Sequence, residues 1–362
     1  MSDTRYSRQT LFAPIGPAGQ QLLAAAHVAV VGCGATGAAA IALLARAGVG
    51  HLTLIDRDFV EESNLQRQLL YTEADAADVL PKAEAARRHI ALINSTTQVT
   101  AHIADLVPAN IHALLAPAHL ILDATDNFET RYLINDYAVQ QSKPWIYAAA
   151  ISATAATMTI IPKPAATNSP QDSPSTPYPL LPTACLSCIF PKPPSGPIET
   201  CDTAGILSTA VTLAASLQVN EALKILTNNH HLLRRTLLSF DLWSPTSDLA
   251  RSEINTSTPN PACEVCALRT FTHLAGEARP HITLCGRNSV QIHEHNRPID
   301  FPTLASRLTP HPEITALRYN GLVLRFTRAP HTLTLFADGR AIINGTTDPT
   351  TARTLYARYI GS

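Results

Sequence analysis

The chain has 362 residues, 46% of them hydrophobic, and a formal net charge of -1. Its length suggests two or three domains with real cores, and its near-zero charge gives no bulk electrostatic case for a nucleic-acid or anionic-membrane surface. The start, "MSDTRYSRQT", lacks an apolar signal segment, and no apolar run reaches membrane-spanning length free of polar residues; the expectation is a cytoplasmic protein whose cysteines are reduced.

"HVAVVG" (27–32) is a short apolar run ending in glycine and reads as a buried parallel strand. Residues 36–47 read as a helix stopped by Gly48 and Gly50. A second strand, "HLTLID" (51–56), ends in an acid. "PKAEAARRHIALIN" (81–94) has helical spacing and a proline start. "TQVTAHIAD" (97–105), "HLILDATDN" (119–127), "KPWIYAAA" (143–150) and "TAATMTIIP" (154–162) read as further strands. Strands alternating with helices in this way predict a Rossmann-like, doubly wound α/β sheet. Residues 163–183, rich in Pro, Ser and Thr, read as a mobile insertion. Residues 205–227 read as one long helix, apolar enough for burial against the sheet or a partner chain, and 236–243 as a late strand. "SEINTSTPNPACEVC" reads as a loop delivering a cysteine pair. From about 279 the texture becomes strand, helix, strands, helix, which predicts a small α+β domain over 279–362 beside a first domain over 1–270.

The turn "VVGCGATG" carries three glycines, Gly32, Gly34 and Gly37. One makes a tight turn, one lets backbone approach a phosphate, and one lets the helix pack on the strand. The helix N-terminus adds N–H groups and partial positive charge. Asp56, ending the second strand, is placed to hold ribose hydroxyls. All this suits a nicotinamide cofactor as well as ATP, and a turn used only for packing is the bland alternative. The next stretch, "DRDFVEESNLQRQLLY" (56–71), separates them. A nicotinamide enzyme has no need of Asn64, Arg67 and Gln68 just beyond the ribose acid. Cleavage of ATP at the α-phosphate gathers negative charge that guanidinium and ammonium groups answer. Arg67 and Lys82 reach the phosphates from two elements, and Asp126 in "DATDN" offers a magnesium ligand.

"RYSRQ" (5–9), "GCGATG" (32–37), "LTLIDRDFVEESNLQRQ" (52–68), "PK" (81–82), "DATDN" (123–127) and two C-x-x-C pairs together resemble the ThiF/MoeB family, bacterial relatives of the ubiquitin-activating enzymes. The resemblance covers roughly residues 5–268, with S-N-L-Q-R-Q the most specific motif; Ala35 stands where many members carry glycine. It implies adenylation of the C-terminal glycine of a ThiS/MoaD-type sulfur carrier ending in Gly-Gly, with ATP and Mg2+. It also implies that Asp56 holds the ribose, Arg67 and Lys82 grip phosphates, Asp126 orders magnesium and the α-phosphate, and Asn64 supports them. Asp58, Gln68 and Asn127 fall among its nucleotide-binding positions. Arg8 resembles the arginine that such enzymes insert into a neighbouring subunit's site, which implies a homodimer. The attacking carboxylate is already ionised at neutral pH, so no catalytic histidine is required.

Of the seven cysteines, Cys185, Cys188, Cys263 and Cys266 make a complete four-thiolate set for structural Zn2+, a clip across the first domain. The alternatives are buried free thiols or two redox pairs. Cys201, in "PIETCDTAG", precedes the long helix; in the resembling family this loop carries a cysteine that receives the activated carrier, although adenylation itself does not need it. Cys33 reads as a space-filler, and Cys285 is a remote candidate for sulfur relay. The last domain shows no rhodanese-like loop; it is suited to docking the carrier or a sulfur donor such as a cysteine desulfurase, or to buttressing a dimer. The competing functions are a dehydratase adenylating a tRNA base or small molecule, a non-catalytic scaffold, and a nicotinamide oxidoreductase.

Overall fold

The computed structural model describes residues 4–164, 179–193, 201–245, 249–276, 288–292 and 298–361, with only the backbone of Cys201 and Asp202. Cys285 and the middle of the Pro/Ser-rich stretch lie outside the described residues.

β1 (His27–Val31), β2 (His51–Asp56), β3 (Gln98–Ile103), β4 (Leu120–Asp123), β5 (Trp145–Ile151), β6 (Thr154–Ile160), β7 (Thr236–Asp241) and β8 (Ser252–Asn255) form one sheet in the order β3-β2-β1-β4-β5-β6-β7-β8. The first five pair in parallel, and each of the last three pairs antiparallel to the strand before it. Alternate residues leave a strand on opposite faces. Val28, Val30, Leu52 and Leu54 thus share one core with the helices Ala35–Ala47, Lys82–Ile93 and Ser208–Leu226. Ala29, Val31 and Ile55 share the other with the helices Ile111–Leu115 and Phe128–Gln140. Burial on both faces is why these strands read as continuous apolar runs. Within the long helix, fully buried Gln218 donates to the carbonyls of Asp123 and Ile146, tying the ends of β4 and β5 to the covering layer.

Two differences from expectation have simple causes. Ser252–Asn255, expected as loop, is an edge strand whose residues are all exposed, so no burial pattern marks it. Phe128–Gln140, not foreseen as a helix, is buried without a break from Arg131 to Val139, so it lacks the one-sided apolar stripe that betrays a surface helix.

A second sheet follows: β9 (Ser289–Ile292), β10 (Thr315–Tyr319), β11 (Val323–Arg328), β12 (His331–Phe336) and β13 (Ala341–Asn344), antiparallel in the order β10-β11-β12-β13-β9. Helices Phe301–Leu308 and Pro349–Tyr359 start on Asp300 and Asp348, whose carboxylates accept first-turn N–H groups. They cover Leu324, Phe326, Leu333, Leu335 and Ile343. The other face presents Val323, Phe336 and Ile342 to Phe59, Val79 and Ile103 of the larger unit.

Candidate nucleotide-binding site

β1, β2 and β4 end side by side, with Val31 opposite both Ile55 and Asp123. The chain order reverses here, so a crevice opens outside the carboxyl ends of the strands. The three glycines do different work there. A Cβ on Gly32, where φ is +90°, would lie 2.6 Å from the Ala124 carbonyl oxygen, and one on Gly37 would lie 1.9 Å from that of Gly32. Both close the turn. A Cβ on Gly34 would meet nothing nearer than Gln68 Nε2 at 4.0 Å. Gly34 is also the N-cap of the 13-residue helix Ala35–Ala47, whose unpaired N–H groups favour an anion.

Asp56 fixes this loop: Oδ2 accepts from the Cys33 N–H at 2.6 Å and Oδ1 from the Asp58 N–H at 2.7 Å. Burial pushes its pKa up, against the pull of the nearby Lys82 ammonium. Cys33 is buried and its carbonyl accepts from the Tyr71 hydroxyl at 2.6 Å, so the loop is held from both sides. Asn64 is 2% exposed; Oδ1 accepts from the Glu61 N–H, and its carbonyl accepts from the N–H groups of Arg67 and Gln68. It therefore shapes the turn that carries them. Arg67 is half-buried, with Nη1 2.9 Å from the Ser63 carbonyl oxygen. Gln68 is buried, and its Oε1 has no hydrogen-bond partner among the described residues; a buried amide oxygen without a donor suits a site completed by a ligand. Lys82 starts the helix Lys82–Ile93 with its ammonium 3.1 Å from Asp58 Oδ2.

The two acids of "DATDN" differ in role. Asp123 is fully buried, accepts from the N–H and hydroxyl of Thr125, and faces Arg131 Nε at 3.4 Å. Burial raises its pKa while Arg131 opposes that. Asp126 is exposed and Asn127 half-exposed. The Asn127 side chain accepts from the Thr130 N–H, capping the helix Phe128–Gln140, so its carbonyl oxygen is committed there.

Arg8 does not join the crevice of its own chain. It is exposed in the helical turn Ser7–Thr10, and its neighbour Gln9 donates to the Ala47 carbonyl. Ala47 ends the helix whose other end faces the crevice, about 20 Å away at 1.5 Å per residue.

Sequence reasoning missed Arg57 and Arg131. Arg131 is clasped between the Phe128 and Tyr147 rings, at 5.4 and 5.2 Å, and donates to the Thr125 carbonyl. Arg57 pairs with Asp105 at 3.0 Å. Burial opposes its charge, but Asp105, then Asp58 and Asp126, outweigh that and raise its pKa. The signal for Arg57 was its place in "DRD"; nothing local signals Arg131.

Packed on the second core, the sulfurs of Cys185, Cys188, Cys263 and Cys266 all lie within 4.8 Å of one another. Cys185–Cys263, Cys188–Cys266 and Cys185–Cys188 are 3.6, 3.3 and 3.8 Å apart. A tetrahedron with metal–sulfur bonds of about 2.3 Å has edges of about 3.8 Å, whereas a disulfide needs about 2.05 Å. Asn135 Nδ2 and the Asn260 N–H approach Cys185 and Cys188 at 3.9 and 3.4 Å. Donors aimed at sulfur suit thiolates rather than thiols, so this set fits a metal. Cys201 lies in the helical turn Cys201–Ala204, but its side chain is outside the described residues.

A family model described as the ThiF family matches residues 6–265. The chain is 41% identical over 361 residues to the sulfur carrier protein ThiS adenylyltransferase of Bacillus subtilis, covering 99% of both chains. It is 36% identical over 263 residues to a sulfur carrier protein adenylyltransferase of Thermus thermophilus, covering 72% of this chain and 90% of that one. Among solved structures, E. coli MccB with ATP has a TM-score of 0.57 at 22% identity, covering 72% of this chain and 74% of the other. That likeness speaks for the fold alone. Among the described residues, no helix is long and apolar enough to cross a membrane.

Proposed function

This chain belongs to the ThiF family, and from that premise we propose that it activates the C-terminal glycine of a ubiquitin-like sulfur carrier of the ThiS type by adenylation. The observation that carries the reading is the open space at Gly34, whose nearest neighbour is the Gln68 amide at 4.0 Å, beside the N-terminus of helix Ala35–Ala47 and the Asp56-anchored loop. The likeness to a ThiS adenylyltransferase across 99% of the chain supports the carrier type.

In this reading ATP lies with its phosphates over the N-terminus of helix Ala35–Ala47. Gly32, Gly34, Ala35 and Gly37 line the approach, and Asp56 accepts from the ribose hydroxyls with the lone pairs that its two backbone bonds leave. The carrier's carboxylate oxygen attacks the α-phosphorus, the bond to the β-phosphate bridging oxygen breaks, and pyrophosphate leaves. Arg67 and Lys82 stabilise the charge that grows on the phosphoryl oxygens; Asn64 and Gln68 hold Arg67's turn and the adenylate in register. Asp126, with Asp58, would hold Mg2+, a cation that takes one or two carboxylates along with substrate phosphates and neutralises their charge. Positioning and charge do the work, and no residue must remove a proton.

Arg8 acts in the partner subunit's crevice of a homodimer. Its distance from its own crevice supports that assignment. Zn2+ in the four-cysteine set is structural, with no open position for chemistry. Cys201 stands outside the adenylation step and is the candidate acceptor of the activated carrier before a sulfur donor, such as a cysteine desulfurase, acts. The setting is the cytoplasm, where ATP and reduced thiolates coexist.

The test is ATP–pyrophosphate exchange with purified carriers ending in Gly-Gly. Carrier-dependent exchange that survives Cys201→Ala is expected; no exchange with any carrier, from folded protein that binds ATP, overturns the reading. For Arg8, mixing inactive Arg8→Ala and Arg67→Ala proteins should restore exchange through hybrid dimers carrying one intact site, and failure to restore it refutes action in trans.

A further inference from the structure

The five-stranded sheet touches the larger unit at the same end of the eight-stranded sheet as the crevice. Its face toward that unit carries Gln291, Thr334 and Ile342, which are cross-strand neighbours on β9, β12 and β13. Ile342 belongs to the apolar seam with Phe59, Val79 and Ile103. Beside it, buried Arg340 donates to the Ile103 carbonyl, the last residue of β3. Gln291, 3% exposed, donates through Nε2 to Asp105 Oδ2 at 2.5 Å. The other oxygen of that carboxylate takes Arg57 Nη1 at 3.0 Å. Arg57 follows Asp56 directly, at the strand end where Asp56 Oδ1 accepts the Asp58 N–H, and the carboxylates of Asp58 and Asp126 favour its charge.

A buried glutamine donating to a carboxylate oxygen fixes that carboxylate's rotamer. The fixed carboxylate in turn holds a long arginine that would otherwise sample many rotamers. Arg57 is about a third exposed and Asp105 about a tenth, so the guanidinium reaches solvent from an anchored base. Left unanchored, it would be drawn onto Asp126 or Asp58, the acids proposed to face the metal and Lys82.

We propose that Gln291 is a positioning residue of the nucleotide site: through Asp105 it holds Arg57 at the crevice rim, where the guanidinium meets the triphosphate. The second sheet thereby becomes part of the ATP site rather than an appendage. This rests on the adenylation reading above.

The test compares wild type, Gln291→Leu, Arg57→Gln and the double variant in carrier-dependent ATP–pyrophosphate exchange, with equilibrium ATP binding by calorimetry as a second readout. Arg57→Gln should raise KM and Kd for ATP about tenfold, and Gln291→Leu roughly fivefold with kcat changed less than about twofold. The double variant should be no worse than Arg57→Gln alone, because both act through one guanidinium. Asp105→Asn keeps an oxygen for Gln291 but removes the charge that holds Arg57. It should behave like Gln291→Leu, and it serves if that variant fails to fold. Wild-type KM and Kd in Gln291→Leu, or effects that multiply in the double variant, overturn the proposal. A wild-type enzyme without exchange would instead overturn the adenylation reading, so the two failures are distinguishable.

Discussion

The nucleotide crevice and the cysteine cluster draw on one sheet but are built in opposite ways. The crevice is assembled at strand ends from residues near in sequence, Gly32 to Lys82 with Asp126, and it keeps open space beside Gly34. The cluster joins pairs 78 residues apart and is closed, with Cys185 and Cys263 buried. An open site must release what it binds and so contributes little to the fold. A closed one exchanges nothing, and its binding energy is folding energy. Substitutions should therefore dissociate, with cluster variants losing structure and variants of the crevice's ligand-facing side chains losing activity at unchanged stability.

The largest effect should come from the cluster. Cys188→Ser, or stripping the zinc-loaded protein with a strong chelator, should cost about 5 kcal/mol or more, part of the roughly 10–16 kcal/mol that structural zinc contributes in small metal-dependent folds. A thermal melt with metal content measured alongside would show it. An unchanged melting temperature in metal-free protein would mean that the four thiols merely fill space.

Next is the crevice. Arg67→Ala should lower kcat/KM for exchange by about 100- to 1,000-fold, the range for one lost charge-stabilising donor. Its melting temperature should stay within a degree or two, because among the described residues its guanidinium makes only a solvent-side bond to Ser63. A loss of stability matching the loss of activity would erase the contrast between the two regions.

The glycine loop sharpens the comparison within a few residues. Gly37→Ala forces a Cβ to 1.9 Å from a backbone oxygen and should cost on the order of 3 kcal/mol of stability. Gly34→Ala meets no such wall. It should melt near wild type while binding ATP about tenfold more weakly, since the methyl occupies ligand space. The reverse pattern, measured by melts and calorimetry, would show that the roles of the two glycines are exchanged.

Much of this was legible because the crevice is local. The apolar run to Gly32, the acid at Asp56 and the S-N-L-Q-R-Q stretch sit at fixed offsets along one strand–helix–strand unit, and the cysteine spacing advertised its own chemistry. What stayed hidden depends on contacts between distant segments. Asp123 and Asp126 look alike in "DATDN", and only Arg131, clasped by Phe128 and Tyr147, makes one an internal post. Gln291 is one polar residue in a short strand; that it reaches Asp105 follows from how two sheets meet, which no periodicity encodes.

The smallest expected effect lies at the sheet's far end, away from both sites. His27 and His51, opening β1 and β2, stack with centroids 3.9 Å apart, and the His27 N–H donates to His119 Nδ1. Burial, then His51, His119 and Lys143, lowers the His27 pKa from 6.5 to about 4. The folded state thus resists a proton that the unfolded chain accepts. Stability from this group is complete above pH 6.5 and is lost as pH falls from 6.5 toward 4. The ring is half-buried, with Nε2 2.8 Å from the Thr53 hydroxyl, so the loss should be on the order of 1 kcal/mol after solvent screening. His27→Asn should flatten the melting temperature between pH 7 and 4.5 and leave exchange at pH 7.5 untouched, since the crevice is at the other end of the same strands. A slope as steep in His27→Asn as in wild type would assign the acid sensitivity elsewhere, and lost exchange at pH 7.5 would mean that the two ends of the sheet are coupled.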